Sequence, residues 1–253
     1  MTNKKRLPAV SFFVLFVLFV VTQALTVPAK DWGLGYPRPG QPPDGNETAE
    51  YLSRFGAFFM GSGNYNDVYL TFDAGYENGL TEAILDTLRK HDVPAAFFLV
   101  GTYIKSNPEL IKKMVAEGHT VANHSMRHPD MTKLGAEAFA AELEKANGAY
   151  REIVGADIPR YYRPPQGTYS EDNLKAAQGL GYKTVFWSLS YRDFDVNAQP
   201  TREAAFSKLI PRMHPGAVIL LHSTSRTSAG ILEELIVRYR GMGYEFKSLD
   251  ELR

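Results

Sequence analysis

The chain has 253 residues, of which 44% are hydrophobic, and this suits a single α/β domain of about 200–250 residues with one large core. Lysine plus arginine equals aspartate plus glutamate, at 28 each, so no net field attracts nucleic acid. The chain contains no cysteine, which excludes disulfide bonds and lipid attachment at an N-terminal cysteine. Any partner must therefore be recognised locally, and we expect a monomer.

The first 29 residues have the order of an export signal. Three basic residues at positions 4–6 precede an apolar run at positions 7–21. This run is short for a membrane-spanning helix, which needs about 20 apolar residues. Ala24 and Ala29 offer small residues for cleavage, but neither lies in an Ala-x-Ala pattern. The sequence predicts a signal peptide or an uncleaved anchor over residues 1–29, and a protein that works outside the cytoplasmic membrane.

Residues 30–65 are rich in glycine, proline and asparagine and predict an extended N-terminal arm. Residues 66–253 then alternate apolar runs with helical patterns, which predicts parallel strands joined by helical crossovers. The predicted strands are 67–72, 95–100, 119–123, 160–163, 183–187, 217–221 and 244–247. The predicted helices are 80–90, 108–117, 134–154, 171–180, 202–210 and 230–240. About seven such units indicate an α/β barrel or a nearly closed sheet.

Polar residues follow five of these predicted strands. In parallel α/β folds the chemistry collects where the strands end. The residues at these ends are Asp73, the pair His124 and His128, Arg163, Asp193 and His222. Each of them has an ordinary structural explanation when it is considered alone. Their occurrence together at one edge of a sheet predicts an active site.

His124 and His128 are four residues apart and follow an apolar strand. On one face of a helical turn, two such imidazoles can bind one zinc ion at about 2.0–2.1 Å. Pro129 disfavours helical geometry at His128, so we expect the pair in a loop or a single turn. Without the other strand ends, two solvated loop histidines would be the simpler interpretation.

Five motifs occur in an order that resembles the polysaccharide deacetylases of carbohydrate esterase family 4, which share the NodB homology domain. They are Thr71-Phe72-Asp73-Ala74-Gly75, His124-Ser125-Met126-Arg127-His128-Pro129, Arg163-Pro164-Pro165-Gln166-Gly167, Trp187 through Asp193-Phe194, and Leu220-Leu221-His222. The resemblance covers residues 66–252. It implies a polysaccharide deacetylase domain at 66–253 with a distorted (β/α) barrel fold, and hydrolysis of an N-acetyl group from an amino sugar.

Within this family the chain is similar to the delta-lactam-biosynthetic de-N-acetylases of spore cortex peptidoglycan. The residues concerned lie at 71–79, 118–125, 184–188, 214–217 and 246–250. The likeness implies N-acetylmuramic acid as substrate on the route to muramic delta-lactam, a peptidoglycan glycan strand as partner, and a role in sporulation. Two alternatives remain: deacetylation of N-acetylglucosamine in peptidoglycan, chitin or exopolysaccharide, and an inactive module that binds the cell wall.

The hydrolysis of an amide needs a base for the attacking water, a stabiliser for the oxyanion and an acid for the leaving amine. Asp73 is the candidate base, and the resemblance implies that Arg163 orients it. The backbone N–H near Gln166 is a candidate oxyanion donor. His222 is the candidate acid, with Asp193 holding its ring in the charged form.

The sequence departs from the family in one position. The family usually has a second aspartate directly after the base as third metal ligand, and here that position is Ala74. Catalytic zinc usually has three protein ligands, so His124 and His128 alone should bind it more weakly. Glu77, Asn78 or water could complete the shell. We therefore expect a divalent metal, by preference zinc, at a weakened site.

Overall fold

The computed structural model of the protein describes residues 28–252. The predicted signal peptide or anchor, apart from its last two residues, lies outside the described residues. Among residues 28–252 no helix is long and apolar enough to span a membrane.

The described chain alternates short strands with helices over most of its length. The strands are β1 (Lys30–Asp31), β2 (Leu34–Gly35), β3 (Asp44–Gly45), β4 (Ala57–Phe58), β5 (Asp67–Ala74), β6 (Ala95–Leu99), β7 (Thr120–Asn123), β8 (Tyr161–Tyr162), β9 (Thr168–Tyr169), β10 (Lys183–Val185), β11 (Leu189–Ser190), β12 (Val218–His222) and β13 (Glu245–Phe246). The helices are α1 (Ala49–Ser53), α2 (Thr81–Lys90), α3 (Gly101–Ser106), α4 (Pro108–Ala116), α5 (Ala136–Val154), α6 (Glu171–Gly179), α7 (Arg202–Leu209) and α8 (Arg226–Gly241).

Nine strands form one parallel sheet in the order β11-β12-β5-β6-β7-β8-β10-β4, with β13 also paired to β5. The chain after β4 returns toward β12, where Met60 and Ala217 form an antiparallel bridge. The sheet therefore curves toward closure, and this is the predicted distorted (β/α) barrel. All seven predicted strands are present. The additional strands β4 and β11 have two residues each, which is too short to leave a periodic pattern in the sequence.

Both faces of the central strands are covered, which explains their continuous apolar sequences. Every residue of β5 and β6 is buried. The rings of Phe72 and Phe97, which are paired neighbours on these two strands, stack with centroids 5.1 Å apart. Helix α2 buries Ile84, Leu85 and Leu88 on one side, and these positions are spaced for one helical face. The central strands therefore hold the carboxyl edge of the sheet rigidly.

Residues 28–65 pack against the barrel near the end of β10. The ring of Trp32 stacks on Phe186 with centroids 4.6 Å apart, and its indole Nε1 donates to the carbonyl of Trp187 at 2.9 Å. Strand β1 pairs with β9, and β4 with β10. The N-terminal segment thus supports the loops at one side of the sheet edge.

Gly216 lies where the returning chain meets the barrel, and replacing it with alanine should be costly. It has a φ of +79°, and a Cβ there would lie 2.5 Å from the carbonyl oxygen of Gly61. Gly181 has the same φ of +79° and no atom within 4 Å of such a Cβ. We expect Gly181→Ala to lower the free energy of unfolding by about 1–2 kcal/mol, the cost of left-handed backbone.

In Gly216→Ala the overlap with rigid backbone should add about 1–3 kcal/mol to that cost. Urea unfolding of both variants measures the difference, with Gly181→Ala as the control for backbone conformation alone. Equal losses in the two variants would show that the contact between Gly61 and Gly216 does not constrain the barrel.

Candidate active site

The carboxyl ends of the strands surround a cavity of about 690 Å³, within the range of about 300–1,000 Å³ that is common for small-ligand sites. The predicted site residues in its lining are Asp73, His124, His128, Gln166 and His222. Arg163 and Asp193 lie behind this lining and are fully buried. The structure therefore brings all the predicted site residues to one region.

Asp73 and His222 lie opposite each other on two adjacent strands. Strand β12 pairs in parallel with β5, and the register places His222 opposite Asp73. Residues that are opposite each other in a sheet project to the same face. The pairing of β5 with β12 therefore places a carboxylate and an imidazole side by side at the edge of the cavity.

Arg163 forms a buried ion pair with Asp73. Its Nη1 donates to Asp73 Oδ1 at 2.6 Å, its Nη2 to Thr71 Oγ1 at 3.0 Å, and its Nε to the carbonyl of Val185 at 3.0 Å. The guanidinium also lies 4.0 Å from the ring centre of Phe98. A buried charge needs such partners, and here they lie on several strands. Thr71 was not predicted as a site residue, and nothing in the sequence marks it as a partner of Arg163.

The environment of Asp73 favours its charged form. Burial alone would raise the pKa of this carboxyl, but Arg163, His124 and His222 together outweigh burial and hold the pKa below its ordinary value. Asp73 is therefore a carboxylate at neutral pH. Its second oxygen, Oδ2, lies 3.7 Å from His124 Nε2 and remains available as a proton acceptor.

His124 and His128 lie close together, with ring centroids 4.8 Å apart. Nδ1 of His124 is 2.8 Å from the carbonyl of Arg163, which can only accept, so this nitrogen carries the proton. Nε2 is then the nitrogen with a free lone pair. Burial lowers the pKa of His124 to about 4 and also lowers the pKa of His128. Both rings are neutral at pH 7, which is the form that binds metal.

The two histidines lie in a loop, as Pro129 predicts. Ser125 and His128 have left-handed φ values of 64° and 59°. Ser125 Oγ accepts the backbone N–H of His128 at 2.8 Å. Glu142, a buried residue of α5, accepts two further backbone N–H groups of the loop at 3.1 Å. This network compensates for the unusual backbone and holds both rings toward the cavity.

The donors at this site fit a metal held by two imidazoles. Within residues 28–252 no set of three histidine, cysteine, aspartate or glutamate side chains is arranged to hold a metal ion. Ala74 is part of the lining, and its side chain, a methyl group, has no atom that can bind a metal. Glu77 was one suggested third ligand, but its oxygens accept from the Gly79 N–H at 2.6 Å and from the Tyr103 hydroxyl at 2.9 Å. Asn78, the other, donates to a backbone carbonyl at 2.8 Å.

His222 is held by Asp193. Its Nδ1 lies 2.7 Å from Asp193 Oδ1, and its backbone N–H donates to Oδ2 at 2.9 Å. Burial would lower the pKa of His222, but Asp193 opposes this and the pKa lies above its ordinary value. Its other ring nitrogen, Nε2, is not held by Asp193 and is available to a ligand in the cavity, and the side chain is 24% exposed. An imidazole in this state is suited to donate a proton.

Asp193 is positioned by β11, which the sequence did not predict. The sequence predicts a connection, residues 188–192, between the strand at 183–187 and Asp193; in the structure this connection contains β11, which pairs with β12. Ser228 on α8 donates to Asp193 Oδ2 at 2.6 Å, and its Oγ lies 2.7 Å from the hydroxyl of Tyr191. Ser228 is distant in the chain, so nothing in the sequence linked it to Asp193.

The remaining lining provides backbone and aromatic groups. Gln166 has a left-handed φ of 61° in the loop after β8. Tyr76 and Phe194 expose 51% and 56% of their surface at the cavity. Trp187 is partly buried and packs against the core, and it also belongs to the lining.

Comparisons with known proteins agree with this architecture. The polysaccharide deacetylase family model matches residues 61–185. The peptidoglycan-N-acetylmuramic acid deacetylase PdaA of Bacillus subtilis is 42% identical over 91% of this chain and 89% of its own length. Its solved structure, described as a family 4 carbohydrate esterase, superposes with a TM-score of 0.84 at 41% identity, over 88% of this chain and 96% of that one.

Two further relatives differ in function from PdaA. A chitooligosaccharide deacetylase of Bradyrhizobium is 36% identical over 79% of this chain and 100% of its own length. A family 4 pseudoenzyme of Bacillus anthracis superposes with a TM-score of 0.72 at 28% identity, over 78% of this chain and 68% of that one. The fold, the motifs and these similarities agree, and the chain belongs to the polysaccharide deacetylase family, carbohydrate esterase family 4.

Proposed function

We propose that this chain removes the N-acetyl group from N-acetylmuramic acid residues of peptidoglycan, on the route to muramic delta-lactam. The chemistry rests on one observation: an ionised Asp73 and a His222 with a raised pKa are neighbours at one cavity. A carboxylate base beside an imidazolium acid is the combination that amide hydrolysis needs at neutral pH. The choice of sugar is supported by the 42% identity to PdaA.

Asp73 accepts a proton from the attacking water, since Arg163 keeps it charged and oriented. The backbone N–H of Gln166 donates to the oxyanion that forms on the acetyl carbonyl. His222 then protonates the departing amine, and Asp193 stabilises the imidazolium before the transfer. Proton removal and proton delivery are thus assigned to two residues with opposite environments.

Members of this family are in general metal-dependent. His124 and His128 would hold the divalent cation, zinc by the preference of imidazole, and when bound it supplies polarisation of the acetyl carbonyl and a lower pKa for the attacking water. The two rings are neutral and close together, which favours this role. The methyl group of Ala74 predicts that the affinity for metal is reduced.

The relatives also support two other functions. The chitooligosaccharide deacetylase favours N-acetylglucosamine as the sugar. The pseudoenzyme, together with Ala74, favours a wall-binding module without turnover. We prefer an active enzyme because Asp73, Arg163, Asp193 and His222 are all present and paired, and a binding module has no need of a matched acid and base.

We place the catalytic domain, residues 66–253, on the outer side of the cytoplasmic membrane, where peptidoglycan lies. In this proposal residues 1–29 are a signal peptide or anchor and residues 30–65 an arm that leads into the domain. Membrane contact would occur only through the first segment, and the protein would act on the glycan strand as a monomer during sporulation.

The first test is the sugar that loses acetate. The purified protein is incubated with defined peptidoglycan fragments, with and without chelator, and the mass of each sugar is measured. We expect loss of one acetyl group from muramic acid residues, and weaker turnover after chelation. Acetate loss from glucosamine alone would contradict the proposed substrate, and no loss from any sugar would support the wall-binding module.

The second test separates the acid from the base. Asp73→Asn and His222→Ala should each lower kcat/KM by roughly 10²–10⁴, the usual contribution of acid–base catalysis. Circular dichroism and urea unfolding check that each variant is folded, because Asp73→Asn leaves the Arg163 charge buried. Near-normal turnover in either folded variant would remove that residue from the mechanism.

The pH profile tests the role of Asp193. His222 must be protonated to act as the acid, so kcat/KM should fall as the pH rises through the raised pKa of His222. Asp193→Asn removes the carboxylate that raises this pKa, and the alkaline limb should move to lower pH. An unchanged alkaline limb in a folded Asp193→Asn variant would show that another group is the acid.

A fourth test concerns the metal. Ala74→Asp should increase the affinity for zinc by at least about 10–100-fold, a size seen even for residues one step removed from a metal. Calorimetry and elemental analysis of the purified protein measure this directly. Ala74→Asn, which has similar size and no charge, is the matched control. Equal zinc binding by wild type and Ala74→Asp would show that Ala74 does not limit the site.

A further inference from the structure

Arg127 places a positive charge in the active-site cavity that the reaction itself does not use. Of the residues that the structure describes, it is the only lysine or arginine in the lining of this cavity. Arg163 is fully buried behind the lining and is committed to Asp73. The Arg127 side chain, in contrast, is 68% exposed. A substrate that enters the cavity therefore meets one exposed guanidinium, apart from the titratable imidazole of His222.

Glu142 anchors this cation on one side. Its Oε1 accepts from Arg127 Nη2 at 3.1 Å, and its own side chain is only 7% exposed. The N–H groups on Nε and Nη1 of Arg127 remain for a ligand. Guanidinium has donors in a planar fork that matches a carboxylate. One edge of the group can therefore be held by Glu142 while another edge binds a ligand carboxylate.

Support of the loop does not account for this arginine. Glu142 Oε2 already accepts the backbone N–H groups of Met126 and Arg127, each at 3.1 Å, and any residue except proline at position 127 would supply its own N–H. An ion pair with one partner this exposed stabilises a protein by only about 0–1 kcal/mol. The side chain therefore has little structural purpose, and its position at the cavity needs a chemical explanation.

The proposed substrate supplies an anion at a suitable place. Muramic acid carries its acetamido group and its lactyl ether on adjacent ring carbons, and the lactyl ether ends in a carboxylate wherever no peptide is attached to it. Arg127 lies between His124 and His128 in the same loop, so it is adjacent to the site where the acetamido group reacts. Glucosamine has a hydroxyl in place of the lactyl ether and offers no such charge.

We propose that Arg127 binds the lactyl carboxylate of the muramic acid residue that is deacetylated, and that it is the residue that selects muramic acid over glucosamine. This assignment rests on the proposed function above. The carboxylate is not part of the bond that breaks. Its contact with Arg127 is therefore the same in the bound substrate as in the transition state. Such binding energy appears mainly in KM.

The test compares three substrates with wild type and Arg127→Gln. The substrates are oligosaccharides with N-acetylmuramic acid carrying a free lactyl carboxylate, the same oligosaccharides with the carboxylate converted to a carboxamide, and N-acetylglucosamine oligomers. We expect Arg127→Gln to raise KM for the free carboxylate about 10–100-fold, the value of a hydrogen bond to a charged group, with kcat little changed. For the other two substrates, the substitution should change KM much less.

Two further variants serve as controls. Arg127→Lys keeps the charge without the planar fork and should recover part of the lost affinity. Arg226→Gln removes an exposed arginine at the start of α8. Arg226 is close in sequence to Thr224 of the lining but is not itself in the lining. This variant should leave the preference for muramic acid over glucosamine unchanged. An equal shift in Arg226→Gln would mean that general charge attraction, rather than Arg127, sets the preference.

The outcomes separate this assignment from the proposed function. If wild type deacetylates muramic acid but Arg127→Gln loses activity equally on all three substrates, Arg127 only supports the loop and the assignment is overturned. No loss on any substrate overturns it as well. If wild type releases acetate from glucosamine oligomers only, the proposed function itself is wrong and the assignment of Arg127 falls with it.

Discussion

The buried ion pair of Arg163 and Asp73 is the constraint on which the site depends. Removing one partner of such a pair typically costs about 3–5 kcal/mol, because the other charge is left without compensation. Arg163 satisfies this requirement with bonds to Asp73, Thr71 and Val185, which lie on β5 and β10, while its own carbonyl accepts from His124. One residue thus joins the candidate base, two strands of the sheet and a candidate metal ligand.

His222 and Asp193 form a second pair, in which the shift of the pKa is opposite to that in the pair of Arg163 and Asp73. A guanidinium stabilises the charged carboxylate of Asp73, whereas a carboxylate stabilises the charged imidazole of His222. Both couples are largely shielded from water, where such interactions are stronger than at a surface. The two candidate catalytic groups are therefore pushed toward opposite charges, although they lie opposite each other on adjacent strands. Each couple is also part of the fold, because Ser228 connects Asp193 to α8.

The loop that carries His124 and His128 has a strained backbone and is stabilised partly by a residue outside the loop. Its left-handed residues, Ser125 and His128, are held by a hydroxyl within the loop and by the carboxylate of Glu142 from α5. This support does not involve the position of Ala74. The loop can therefore keep both imidazoles neutral and oriented even though the usual carboxylate beside the base is absent. The fold does not depend on that ligand, whereas we propose that the strength of metal binding does.

The sequence by itself determined the family, the parallel α/β architecture and the residues at the strand ends, because buried strands and their terminal motifs are local patterns. It did not reveal β4 and β11, since two residues leave no periodicity. Nor did it reveal the partners of the site. Thr71, Glu142 and Ser228 act through residues 15–92 positions away, and such contacts arise only from strand register and helix packing. The tertiary structure alone decided that Asp73 faces His222 and that Arg127 reaches the cavity, because both depend on which chain segments become neighbours in space.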